Sequence, residues 1–201
     1  MIKRFVVGPL QTNCYLVYGS ASSEGILIDP GAPDPEINAY ICDKGIDVVY
    51  ILNTHGHADH IMGDVSFGFP VLIHELDEAC LRDLKRNLSY VAGGGSEQEV
   101  RAEMLLVGGE KIKLGSLELE IIHTPGHTPG GISVRHKDVL FSGDTLFFEG
   151  VGRTDLPGGD HDTLIKSIKE KLFVLPDETK VFPGHGPETT VGHEKRFNPF
   201  M

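Results

Sequence analysis

The heptapeptide THGHADH, residues 54–60, sets three histidines and an aspartate directly behind the apolar run VVYIL. Imidazole nitrogens and carboxylate oxygens at this density are the donor set of a metal site. Three other stretches share one syntax: an apolar strand, a glycine-containing turn, then a metal-capable side chain. They are LEIIHTPGH ending at His127, VLFSGD ending at Asp144 and KVFPGH ending at His185. Strands that run the same way end on one rim, and rims are where sheet proteins build sites. His55 and His57 flank a single glycine, so an extended backbone projects both rings to one side. Asp59 and His60 follow a turn and open a helix, which aims them elsewhere. This gives one group of His55, His57 and His127 and a second of Asp59, His60 and His185, with Asp144 able to bridge them. Imidazole and carboxylate without thiolate suit one or two Zn²⁺ ions; Fe²⁺ or Mn²⁺ also fits. Three ligands per ion leave a position for water, and two adjacent metals make hydroxide available at neutral pH.

The elements that must carry these residues read as short strands in the first half: RFVV, CYLVY and GILIDPG. DPEINAYICDKG follows as a helix, with Asp34 or Pro35 at its start and Gly45 as its stop. IDVVYILNTH is a continuous apolar run, the pattern of a strand buried on both faces. PVLIH is the next strand, and ELDEACLRDLKRNLSYV has apolar residues at helical spacing. AGGGSEQEV reads as a loop, and the run Gly93–Gly95 leaves a lid over the site as the alternative. Strands then recur in EKIKLGSLELEIIHTPGH and GGISVRHKDVLFSGD, before a helix in DHDTLIKSIKEKLFVL and a last strand in TKVFPGH. Strand clusters in both halves, each followed by helical segments, suit a four-layer αββα sandwich of class α/β.

At 201 residues and 40% hydrophobic, the chain suits one domain spanning 1–201. No apolar window is long enough to cross a bilayer, and the start MIKRFVVGPLQ is too short and proline-interrupted for a signal peptide. The expectation is a cytoplasmic protein with no membrane partner. A formal charge of −11 argues against nucleic acid, since phosphates demand a basic face. Two bound divalent ions and a hydroxide would leave it at about −8. Cys14, Cys42 and Cys80 are too few and too scattered for a disulfide framework or a metal knuckle.

The set His55-x-His57-x-Asp59-His60, His127, Asp144 and His185 resembles the metal motif of the metallo-β-lactamase superfamily in identity, order and spacing. The likeness spans essentially the whole chain. It implies the αββα sandwich and all seven ligands. It also implies that Asp29, at the end of GILIDPG, steadies the ligand loop; from the residues alone, an Asx turn before Pro30 is the simpler reading. Within the superfamily, SGDTLFFEGVGRTDLPGGD and FPGHGPETTVGHEKRFNPF resemble the compact form of the glyoxalase II group, the hydroxyacylglutathione hydrolases. The resemblance implies hydrolysis of a small thioester, glutathione-linked or built on another thiol, to a hydroxy acid and a thiol. Asp59 would orient the nucleophile, and Arg153 would stand where the group places a substrate-binding lysine. The longer enzymes' C-terminal helical extension, which completes the glutathione pocket, is not expected here. A second group of the superfamily, the persulfide dioxygenases, would instead hold one Fe²⁺ with His55, His127 and Asp144. Lactone or β-lactam hydrolysis and a non-catalytic metal-binding module are the lesser alternatives, and the protein is expected as a monomer or homodimer.

Other residues have plainer readings. His123 suits a loop hydrogen bond better than a ligand, and His74, His136, His161 and His193 suit surface or internally bonded positions. Arg153 has Asp155 as a surface ion-pair partner, an even rival to substrate contact. LPGGD reads as a turn, since it lacks the strand and helix of a phosphate cradle. The tail GHEKRFNPF is expected to dock by burying its phenylalanines, with Lys195 or Arg196 as weaker candidates for substrate contact.

Overall fold

The computed structural model describes residues 1–19, 23–90 and 100–201. The Gly93–Gly95 loop lies outside the described residues. Fourteen strands and five helices are found among those described. One six-stranded sheet has the order β1 (Ile2–Val7), β2 (Thr12–Tyr18), β3 (Glu24–Ile28), β4 (Asp47–Leu52), β5 (Val71–His74) and β6 (Ala102–Leu106). The other runs β14 (Thr189–Thr190), β13 (Lys180–Pro183), β10 (Val139–Gly143), β9 (Ile132–His136), β8 (Leu117–His123) and β7 (Lys111–Leu114). A small ribbon pairs β11 (Leu146–Phe147) with β12 (Gly150–Val151).

The expected sandwich is what forms, and its layers are visible in the packing. Tyr15 and Val17 on β2 face the second sheet and join Leu52, Leu119, Val134 and Phe141 in the central core. Their neighbours Cys14 and Leu16 face the other way, onto Ile37 of helix α1 (Pro35–Lys44). Strand side chains alternate in direction, so a strand covered on both faces is apolar at nearly every position. On the far side, Leu140 and Val181 pack against Leu164 of helix α4 (His161–Ser167) and Ile168 and Leu172 beyond it.

Local chemistry sets the element ends. The Asp34 carboxylate accepts from the Glu36 N–H at the start of α1, Pro35 opens the helix, and Gly45 ends it at φ +61°. Helix α4 starts in the same way, with Asp160 accepting from the Thr163 N–H. Past Ser167 it widens into a π turn over Ile168–Leu172.

Two expectations need correction, and one strand was not anticipated. ELDEACLRDLKRNLSYV is not one helix: a single 3₁₀ turn covers Glu78–Leu81, and turns follow. Its short polar side chains bond to the backbone and compete with helix formation. Asp83 accepts from the Lys85 and Arg86 N–H groups, and Asn87 donates to the Cys80 carbonyl and accepts from the Ser89 N–H. The tail forms helix α5 (Val191–Phe197), which buries Val191, Glu194 and the following Asn198. That spacing leaves Phe197 and Phe200 more than half or about half exposed, so the phenylalanines are not what docks it. Strand β6, which extends the first sheet, carried no clear sequence signal.

Candidate metal centre

Strands β3, β4, β5 and β6 are parallel. In the second sheet β8 and β10 are each antiparallel to β9, and β10 is parallel to β13, so β8, β10 and β13 run together. The candidate ligands follow the C-terminal ends of β4, β8, β10 and β13. The two sheets are stitched at this rim. Asn13 N–H donates to Gly184 O at 2.7 Å, and the Asn13 amide and Tyr15 hydroxyl donate to Pro183 O at 2.9 and 2.7 Å.

All seven candidate ligands converge there. His57 Nδ1 stands 3.1 Å from His55 Nε2 and 2.9 Å from His127 Nε2. Helix α2 (Ala58–Ile61) begins immediately afterwards and turns Asp59 and His60 toward a neighbouring point, where Asp59 Oδ2 lies 3.6 Å from His60 Nε2 and 3.1 Å from His185 Nε2. Asp144 spans the two groups. Its Oδ1 is 3.4 Å from His60 Nε2, and its Oδ2 is 3.7 Å from both His127 and His185 Nε2. Three sets of ligand atoms lie within 4.8 Å of one another: His55, His57 and His127; His55, His60 and Asp144; and Asp59, His60 and His185. Gly184 is required beside them, because a Cβ there would collide with the Asp144 carboxylate and with His60 Cε1 at 2.7 Å.

Buried carboxylates hold the ligand loops. Asp29 accepts from the Thr54 N–H and hydroxyl at 2.7 Å each, and from His60 Nδ1 at 2.9 Å. It does so from a left-handed backbone at φ +51°, a conformation that costs energy in a non-glycine residue and tends to persist at functional sites. Asp29 is therefore more than an Asx turn. Asp77 was not singled out by sequence. It accepts from Gly56 N–H at 2.9 Å, Thr128 Oγ1 at 2.7 Å and Gly130 N–H at 2.8 Å, tying the His55–His57 loop to the His127 loop. Nothing in HELDEAC distinguishes it from its acidic neighbours. Thr12, also unread, donates to Asp59 Oδ2 at 3.2 Å. His127 Nδ1 donates to the Arg153 carbonyl at 2.7 Å, so Arg153 serves the cluster through its backbone.

Burial holds His55 well below the ordinary imidazole range, with His60 and His127 adding to it. Burial likewise pushes His57 down to about 3, helped by His127. Both rings are neutral, the form that ligates a metal. His60 goes the other way: burial opposes its charge, but Asp144, Asp59 and Asp29 outweigh that and push it up to about 10. For Asp59, burial works upward and is overcome by His60 and His185, which leave it below the usual carboxylate range.

The donor set fits a divalent ion. His60 Nε2 and Asp144 Oδ1 are buried without a hydrogen-bond partner, although each faces the cluster. Unpaired buried polar atoms cost about 1–3 kcal/mol each, a penalty that coordination removes.

Above the cluster opens a cavity of about 570 Å³, walled by Leu10, Leu88, Phe147, Val151 and Leu156 and floored by His57, Asp59, His127, Asp144 and His185. Arg153 borders it, with its guanidinium fork closed on Asp155 at 2.7 Å through both Nε and Nη2. The remaining histidines are elsewhere. His123 stacks on His74 at 4.1 Å and bonds Pro129 O, His136 bonds Glu118 O, and His193 reaches Glu149. Lys195 and Arg196 both bond Asp177. The expected LPGGD turn closes through Gly159 N–H to Leu156 O. Among the described residues no helix is long and apolar enough to cross a membrane.

The family model of the metallo-beta-lactamase superfamily matches residues 7–185. A probable metallo-hydrolase of Bacillus subtilis is 40% identical over 99% of this chain and 96% of its own length. A hydroxyacylglutathione hydrolase, GloC, of Haemophilus influenzae is 37% identical over 97% and 95%. Among solved structures, the BLEG-1 B3 metallo-beta-lactamase superposes with a TM-score of 0.92 at 37% identity, covering 100% and 99% of the two chains. TTHA1623 in a di-iron-bound form gives 0.86 at 35%, covering 99% and 100%. ETHE1 from Myxococcus xanthus gives 0.83 at 28%, covering 99% and 83%.

Proposed function

The chain belongs to the metallo-beta-lactamase superfamily, and from that premise we propose that it is a metal-dependent thioester hydrolase similar to the glyoxalase II group. The observation that carries this reading is the placement of Asp144 between two three-ligand groups at the floor of an apolar-walled cavity. His55, His57 and His127 would hold one ion and Asp59, His60 and His185 a second, with Asp144 within reach of both groups. Zinc is the metal proposed, with iron as the alternative that the di-iron form of a relative supports. Ions bound there would supply a hydroxide nucleophile at neutral pH and electrostatic stabilisation for charge developing on the carbonyl oxygen.

The chain's own residues position the reaction. Asp59, fixed by Thr12, accepts the nucleophile's proton in a hydrogen bond and so aims its lone pair into the cavity. The Arg153 carbonyl fixes the His127 tautomer, leaving Nε2 free to ligate. A thiolate is a tolerable leaving group, because a thiol pKa is about 8.5, so no separate protonating acid is required. The fate of the acyl group is a hydroxy acid or another small carboxylate.

The test is hydrolysis of a thioester panel that includes S-lactoylglutathione, using protein of measured metal content. Turnover that follows metal content, and is lost in Asp59→Asn even when the ion assigned to His55, His57 and His127 is retained, supports the reading. Metal-loaded protein no faster than metal-free protein overturns it. Oxygen consumption on glutathione persulfide by iron-loaded protein would put the dioxygenase reading in its place.

A further inference from the structure

Resting on the thioester hydrolase reading, we propose that the cavity selects thioesters whose thiol arm is uncharged and apolar, and that the Arg153–Asp155 pair disfavours arms carrying carboxylates. Five of the residues bordering the cavity are Leu10, Leu88, Phe147, Val151 and Leu156. They reward desolvation of alkyl groups and offer no partner to a carboxylate, which loses hydration on entry.

Arg153 is the only lysine or arginine bordering the cavity among the described residues. Residues 20–22 and 91–99 contain no lysine, arginine or histidine, so they bring no further cation. The guanidinium is already engaged. Its Nε and Nη2 meet the two Asp155 oxygens at 2.7 Å each, the same fork that a substrate carboxylate would use. Both side chains are more than half exposed, so the pair contributes little to stability. Its consequence is for charge. Asp155 sits two residues from Arg153 and cancels its field at the cavity mouth. With a formal charge of −11 on the whole chain, nothing beyond the metals draws an anion in.

The experiment compares two esters of one acyl group on the metal-loaded full chain: S-lactoylglutathione and the lactoyl thioester of N-butanoylcysteamine. The second has a neutral arm ending in an alkyl chain. Each kcat/KM is divided by the ester's own rate with hydroxide alone. The neutral ester is expected to be better by about tenfold or more. Asp155→Asn, which frees the guanidinium, should move the ratio toward the glutathione ester by about fivefold, mainly through KM. Equal or better use of the glutathione ester by the native chain overturns the proposal, and so does an unmoved ratio in Asp155→Asn. If neither ester is hydrolysed faster than by metal-free protein, the thioester hydrolase reading itself has failed, and this outcome is distinct from the other two.

Discussion

The ligand cluster and the cavity mouth lie side by side and are built on opposite terms. In the cluster, three of the seven candidate ligands are fixed by a partner outside the set: His60 by Asp29, His127 by the Arg153 carbonyl, Asp59 by Thr12. Asp77 then locks two ligand loops to each other. At the mouth, apolar side chains stand on turns and on the short β11–β12 ribbon, and the one charged pair is solvated. Chemistry that depends on sub-ångström placement needs buried polar bonds, whereas selection of a substrate arm needs only shape and apolar surface.

The largest loss is expected from Asp144→Ala, which removes the group shared by both candidate ligand sets. Thioester turnover should fall by about a thousandfold or more, with bound metal reduced in parallel, as steady-state assays and elemental analysis would read. If the enzyme stayed within tenfold of native, the two groups would not be acting together. Next in size is Asp77→Ala. It leaves the Gly56 and Gly130 N–H groups and the Thr128 hydroxyl without their acceptor, at a cost of about 3 kcal/mol in urea unfolding. Metal affinity should weaken by about 10–100-fold, because the loops that carry His55, His57 and His127 lose their tie.

A smaller effect is expected at the mouth. Leu88 has a left-handed backbone at φ +64° and borders the cavity. Leu88→Gly relieves that strain and should raise stability by about 1 kcal/mol while KM rises about threefold. Opposite signs for stability and substrate affinity, with metal content unchanged, would sharpen the division between the regions; a loss of metal would blur it. The smallest effect is on thiol reactivity. Burial, then Asp77, pushes the Cys80 thiol up to about 12, so its reactive thiolate is scarce at pH 8. Cys80 packs behind Gly56. Alkylation followed by mass spectrometry should therefore label exposed Cys42 first and spare Cys80 and buried Cys14. Early labelling of Cys80 would mean that the wall behind the ligand loop opens readily.

Much of the candidate site was legible because a residue able to ligate metal announces itself by type. Strand, glycine turn and histidine or aspartate recur four times, and all four places meet on one rim. Helix α1 was legible from its caps, since Asp34 and Gly45 act within a few residues of themselves. Other features had no local signature. Asp77 sits in a segment whose apolar spacing suggested a helix, and only bonds from loops 21 and 51–53 residues away single it out. The tail's phenylalanines looked like anchors by composition, but helix phase turns Val191, Glu194 and Asn198 inward instead.

The sequence by itself determined the donor atoms, the turns that present them and the alternation that buries strands between two layers. These follow from side-chain chemistry and backbone sterics within short windows. Only the tertiary structure decided which carboxylate ties the loops, which backbone oxygen aims His127, and that the Arg153 fork is closed on Asp155. The first two depend on distances between segments remote along the chain, which packing of the two sheets sets, and the third on a choice among nearby partners that the sequence leaves open.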